Sequence, residues 1–446
     1  MSQRCLTSLA VLLVIVGSFT LLATMSYAAD KRAVADANLE AIVVGNTEFA
    51  FNLYARLKDH PEVKKANGNL FFSPYSISTA LAMTYAGARG RTAEQMAVVL
   101  HLPFEQDLVH DERGPDKPRP LMVVRYLWEV SRIAAAFAAL EETLKDDPKT
   151  GGYELHVSNS LWGQKGYGFL REFLDLIEKN YGAGLREVDF INAVEREKTR
   201  KAINAWVERQ TKDKIKELIQ PGVFDRLTRL VLTNAIYFKG DWASKFKEEN
   251  TKPAPFYVTE EKSVEVPMMY QKGKFAYAEG EDAQVLVLPY KGEQLSMLIM
   301  LPKKISLLRS IESELSLKNL KVELERLRKQ EVKVYLPKFK ITWGVFKLND
   351  IFKAMGMKDA FSLPPADFSG MTGMKDLYIS HVLHKAFVEV NEEGTEAAAA
   401  TAVVLGRGGP GMPVFRADHP FVFIIKDNRS GSILFMGKVM NPAKQS

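Results

Sequence analysis

Two histidines three residues apart, His381 and His384, are the nearest thing in this sequence to a metal-ligand pair. On a helix that spacing would put both imidazoles on one face. The surrounding LYISHVLHKAFVEV has the β-branched and aromatic texture of a strand, where residues an odd number apart point to opposite sides. A metal is therefore not expected, and His384 should instead hydrogen-bond within a packed core. Other catalytic equipment is equally scarce. The chain has no G-x-S-x-G elbow, no G-x-G-x-x-G, no phosphate-binding G-x-x-x-x-G-K-[ST] and no H-E-x-x-H. Seven histidines offer few bases for a Ser-His-Asp triad. Cys5 is the only cysteine, so thiol catalysis and thiolate metal sites have nothing to build on. Neither an enzyme nor a cofactor is expected.

The segment with chemical promise is VNEEGTEAAAATAVVLGRGGPGMP, from Val390 to Pro413. It turns acidic at Glu392, runs through Ala397, Ala398, Ala399 and Ala400, and ends in glycine and proline around Arg407. As a strand, one face would carry Thr395, Ala397, Ala399, Thr401 and Val403, all uncharged and small or β-branched. The other face would hold Glu396, the only charge between Thr395 and Val404. Such a strand could enter a sheet without burying a charge on that first face or losing a ladder hydrogen bond to proline. Composition alone favours an alanine-rich helix or a plain loop over that strand. Arg407, between Gly406 and Gly408, offers a long cation to an acidic pocket.

Residues 1–28 read as a secretory signal: Arg4, an apolar run from Leu6 to about Ala23, then small residues before Ala29. Left uncut, the run approaches the length of a membrane anchor. After removal the protein has no cysteine and folds without disulfides, which a chain of 446 residues can do. A net charge of +6 is mild for that length, and no clustered basic run suggests nucleic-acid binding. A general preference for acidic partners stays open.

Helices dominate the first half. Phe49, Leu53 and Leu57 recur four apart, and NLFF followed by Ser73-Pro74 reads as a strand, a break and a new helix. The charged, proline-broken stretch from Pro103 to Pro120 reads as a loop, followed by a helix with Val123, Leu127, Val130 and Ala134 on one face. REKTRKAINAWVERQTKDKIKELI is amphipathic through Ile203, Trp206, Val207 and Ile215. Strands then take over: Leu230 to Phe238, a hairpin turning at Lys291-Gly292-Glu293, and two C-terminal strands around Asp427 to Gly431. Helices first and strands later predict an α+β fold with mostly antiparallel sheets, and no linker divides residues 29–446, so a single domain is expected.

NEEGTEAAAAT resembles the hinge of the serpins, the serine-protease-inhibitor family, and further motifs agree in order. NLFFSPYSISTALAMTYAGARGRTAEQM, LTNAIYFKGDW, VPMM, YLPKF, ADFSGM and HPFVFIIKDNRSGSILFMGKVMNP all resemble family signatures, spanning about Thr47 to Pro442. The resemblance implies three mostly antiparallel β-sheets, eight or nine helices and an exposed reactive-centre loop, here about 392–413. It implies a monomeric suicide substrate of serine proteases, without cofactor and capable of loop–sheet polymers, and the signal at residues 1–28 adds export. The protease attacks the loop and is held as an acyl-enzyme while the cut loop enters the main sheet as a new strand.

On that resemblance, Glu392, Gly394, Thr395 and Ala397 to Ala400 match the hinge. Ser73, Ser76, Asn234 and His384 match a polar "shutter" beneath the sheet. Trp242 and Lys338 match the "breach" at its top, with Lys338 facing Glu392. The usual family spacing puts the cut after Gly408, before Gly409; a loop one residue shorter puts it after Arg407, before Gly408. Arginine suits a trypsin-like pocket and glycine gives a pocket little to grip, which favours Arg407–Gly408. Cleavage at Val404 or Leu405 by an elastase- or subtilisin-like enzyme, a cysteine-protease target, and a non-inhibitory carrier, chaperone or structural serpin are the alternatives. The charged residues near 111–117 look like an insertion relative to the family.

Overall fold

The computed structural model describes residues 34–65, 67–109, 122–145, 152–395 and 411–444. Two large sheets carry the molecule. The first contains β4 (Tyr153–Gln164), β5 (Leu185–Val188), β6 (Leu230–Asp241), β12 (Phe339–Lys347), β13 (Ile379–Val390) and the two-residue β14 (Gly394–Thr395). Their order is β12-β13-β6-β4-β5, with β14 against β6. The pairs β13/β6 and β4/β5 are parallel and the rest antiparallel.

The second sheet joins β1 (Leu70–Phe72), β7 (Lys252–Tyr257), β8 (Ser263–Glu279), β9 (Ala283–Pro289), β10 (Leu295–Pro302), β11 (Arg328–Pro337), β15 (Val414–Arg416), β16 (Phe421–Asp427) and β17 (Ile433–Val439). It runs β1-β17-β16-β10-β9-β8-β11-β15, with β7 on β8. Only β11/β15 is parallel. The long β8 spans two registers, pairing β9 at one end and β11 along most of its length. A third, two-stranded sheet pairs β2 (Phe104–Val109) with β3 (Met122–Leu127). Among the described residues nine α-helices have seven or more residues, and two are shorter. The fold is thus α+β with three mostly antiparallel sheets.

The helix Pro74–Tyr85 lies against both large sheets and is buried at every position. Its composition explains this: small residues and hydroxyls that satisfy themselves, such as Thr79 on the Tyr75 carbonyl (2.8 Å) and Thr84 on the Ala80 carbonyl (3.1 Å), leave no polar face needing water. Ser73 caps its start, accepting from the Ser76 amide at 3.1 Å, and Pro74 supplies the fixed φ of a first helical residue. A buried cluster extends from Ile42 to Val439 and joins the helix to both sheets.

Three local readings need correction. Phe104–Val109 is a strand, not loop, and its partner Met122–Leu127 holds Val123 and Leu127, so the following helix begins only at Val130. MVVRYL is rich in β-branched and aromatic residues, and cross-strand pairing overrides its helical spacing. The insertion-like residues 111–117 lie outside the described residues. The helix Ala193–Gln210 stops before Ile215 because Lys212 and Asp213 take positive φ, although Ile215 is still fully buried.

Candidate functional site

Three neighbouring strands place polar residues side by side in one row. His384 of β13 is in register with Asn234 of β6, and Asn234 with Asn159 of β4. The start of the buried helix approaches from one face of that row. His384 Nδ1 donates to Asn234 Oδ1, and Asn234 Nδ2 donates to Ser76 Oγ and Asn159 Oδ1. Ser76 Oγ donates to Asn159 Oδ1 at 3.1 Å, while Asn159 Nδ2 returns a bond to the Ser76 carbonyl at 3.3 Å. Ser73 donates its amide to His384 Nε2 (3.4 Å) and its hydroxyl to the Leu434 carbonyl (2.6 Å).

His384 is fully buried, and burial pushes its pKa down to about 3. The neutral ring therefore donates through one nitrogen and accepts through the other, as the network requires. The row is a polar zip across the sheet, satisfied only while β13, β6 and β4 stay together. Ser73, Ser76, Asn234 and His384 are brought together in one hydrogen-bonded group. Asn159 belongs with them but left no signal in the sequence, because only strand register reveals it. His381 lies elsewhere, its ring 5.8 Å from that of Phe224. Among the described residues no group of three or more His, Cys, Asp or Glu could hold a metal.

At one end of the same sheet the chain leaves β13 and doubles back. β13 and β6 pair from Ile379/Leu230 to Phe387/Tyr237. Beyond them Gly394 and Thr395 run antiparallel to β6, opposite Asp241 and Gly240. The turn is closed by the Asn391 amide on the Gly394 carbonyl (2.9 Å), while Asn391 Oδ1 accepts from the Glu393 and Gly394 amides. Gly394 has φ +152°, and a Cβ there would lie 2.0 Å from the Gly240 carbonyl oxygen, so no larger residue fits.

Trp242 seals this turn. Its amide donates to the Glu393 carbonyl (2.9 Å) and its indole N–H to the Asn391 carbonyl (3.0 Å), and the ring stacks on Tyr290 at 4.7 Å. Glu392 is buried; its carboxylate meets Lys338 Nζ at 2.7 Å and the Thr251 hydroxyl at 2.8 Å. Burial alone would raise its pKa, but these hydrogen bonds outweigh it and hold the carboxyl below its ordinary value. Glu393 pairs with Lys245. Thr251 is a partner that sequence reasoning missed. Ala397 to Ala400, Arg407, Gly408 and Gly409 lie outside the described residues, as does the side chain of Thr395.

The family model Serpin (serine protease inhibitor) matches residues 44–442. This chain is a serpin. A leukocyte elastase inhibitor of Xenopus laevis is 43% identical over 403 residues, covering 89% of this chain and 98% of that protein. Human thyroxine-binding globulin, solved with thyroxine, has a similar structure, with TM-score 0.76 and 32% identity over 91% of this chain and 99% of that one. Serpin48 of the insect Tenebrio molitor, described as highly specific, has TM-score 0.74 and 33% identity, covering 90% of this serpin and 98% of that chain.

Proposed function

We propose that this serpin is an exported, irreversible inhibitor of serine proteases with trypsin-like preference, consumed one molecule per protease. The observation that carries the reading is the geometry at the end of the seam between β13 and β6. Two residues of the hinge are already laddered antiparallel to β6, and the next pairs below them are a parallel β13/β6 contact. A strand continuing downward from Thr395 would part that contact and lie antiparallel to both neighbours. The alternation from Thr395 to Val403 puts no charge on one of its faces.

In the reaction, the protease serine oxygen adds to the carbonyl carbon of Arg407. The Arg407–Gly408 C–N bond breaks, the Gly408 amine leaves with the serine proton, and the ester remains. Insertion of the freed segment from Thr395 onward carries the ester-bound protease along the sheet and distorts it before water completes hydrolysis. Glu392, Lys338, Thr251 and Trp242 fix where insertion starts, and the His384–Asn234–Asn159 row sets the resistance to parting. The protein is a monomer in this reading, and an open seam that accepted another copy's loop would give polymers.

Export rests on residues 1–28, which precede the start of the family match at residue 44. The elastase inhibitor among the relatives favours a second bait, Val404 or Leu405, for an elastase-like target. Mixing the protein lacking residues 1–28 with trypsin, and separately with elastase, and resolving the products under denaturing conditions decides the matter. A band at the summed mass supports inhibition, and the sequence of the released C-terminal peptide locates the bond. Clean cleavage by every protease tried, with no such band, moves the assignment to a non-inhibitory serpin.

A further inference from the structure

The outer face of β8, β11 and β15 carries an ordered basic array. Cross-strand register builds it in rows: Tyr270, Tyr335 and Arg416, then Lys272, Lys333 and Val414, then Lys274 beside Glu331, with Lys329 beyond. The alternate residues Val332, Val334, Leu336 and Phe415 face the core, so this array faces outward. Five cations stand against the one carboxylate of Glu331, which pairs with Lys272 at 3.4 Å. Among the described residues Lys274, Lys329, Lys333 and Arg416 have no carboxylate partner. Arg416 is instead held flat, 3.6 Å over the Tyr335 ring, and Tyr335 packs on Tyr270 at 4.8 Å.

Stability does not account for this arrangement. Lys272 and Lys333 sit directly opposite each other, a placement of like charges that weakens a sheet. A local rule broken without structural gain points to function. The position says which function. β15 begins at Val414, and seven residues of chain from Arg407 reach at most about 25 Å. A globular protease domain of about 200 residues is some 40 Å across. A protease seated on the bait is therefore within reach of this face.

The geometry points to β8, β11 and β15 as a secondary docking surface for an acidic patch on the target protease. The inference rests on the inhibitory reading and adds a property of the partner: it is acidic beside its active-site cleft. The array speeds encounter by steering, before any bond is made. Lysines and tyrosines spread from Tyr270 to Arg416 form no basic run in the sequence, so only the sheet reveals them.

The test compares the parent with Lys274→Glu/Lys333→Glu, using anionic and cationic isoforms of trypsin, which share cleavage preference and differ in surface charge. Covalent complex formation is timed at about 50 and 300 mM salt, where screening lengths differ more than twofold. The parent is expected to capture the anionic isoform at least about tenfold faster at low salt than the double variant, with the difference vanishing at high salt. Rates with the cationic isoform should not fall in the variant, and stoichiometry should be unchanged throughout. The variant's thermal midpoint should change little, since Lys333→Glu removes the Lys272–Lys333 repulsion while Lys274→Glu sets a second carboxylate opposite Glu331. Equal rates for parent and variant with the anionic isoform overturn the proposal. So does loss of retention on an immobilised sulfated polysaccharide with protease rates intact, which would assign the face to a polyanion. If neither protein forms a complex, the inhibitory reading fails separately. Binding of an anionic isoform with its active-site serine replaced by alanine then reads the surface: salt-sensitive binding lost in the variant supports it, and absent or equal binding overturns it.

Discussion

His384 and Gly394 show how single residues govern this sheet. His384 is neutral in the fold because burial depresses its pKa to about 3, whereas an unfolded histidine titrates near 6.5. Between those values the unfolded chain binds a proton that the native state refuses, so this residue makes stability fall as pH falls from about 6.5 towards 3. The slope is about 1.4 kcal/mol per pH unit, or roughly 2 kcal/mol by pH 5. Denaturant unfolding of the parent and of His384→Gln between pH 7 and 5 measures it: the parent should lose about that much more than the variant, and equal losses contradict the assignment. Gly394→Ala tests the turn. Its methyl group would meet the Gly240 carbonyl, so β14 must leave β6, at a cost of about 1–3 kcal/mol. Under the inhibitory reading more molecules of this variant should be cut per protease captured, counted by titration; an unchanged ratio would falsify the role given to that contact.

At the scale of elements, the hinge is tested through its alternation. Thr395→Arg puts a charge on the face that would enter the sheet first, and insertion would bury it unpaired. The variant is expected to be cleaved as quickly as the parent yet form little covalent complex, read on a denaturing gel. Full complex formation would contradict the register from Thr395 to Val403. How much of this was legible in the sequence follows from how local each signal is. The turn at Lys291-Gly292-Glu293 and the pair of strands around Asp427 to Gly431 announce themselves in a few residues, and both are present. The β2/β3 pair was missed because charge and proline mask a strand whose partner lies beyond residues 110–121. Asn159 joins His384 only through two strand registers spanning some two hundred residues of chain, and Lys272 meets Lys333 by the same kind of pairing. Motifs named most of the polar row; geometry was needed to complete it.

For the molecule as a whole, the inhibitory reading makes the native state kinetically held and not the most stable arrangement of its own chain. Parting β13 from β6 gives up one parallel ladder, and a strand between them makes two antiparallel ones. Proteolytic nicking of the loop between residues 396 and 410, without complex formation, should therefore raise the thermal midpoint well above that of the intact protein, measured by circular dichroism. An unchanged midpoint means that no strand enters.

The seam has two anchors. Gly394 and Thr395 hold one end of the loop on β6, and Val414 to Arg416 tie the other to β11 in the second sheet. The chain is thus fastened on both sides, and under the inhibitory reading what separates the two states is a covalent bond and not a binding equilibrium. In that reading the device would work as a fuse: it would carry no partial response, could not be reset, and would leave a record of the event in its own backbone. Its protective capacity is then a head count, set by how fast the cell replaces spent molecules and not by how tightly each one binds.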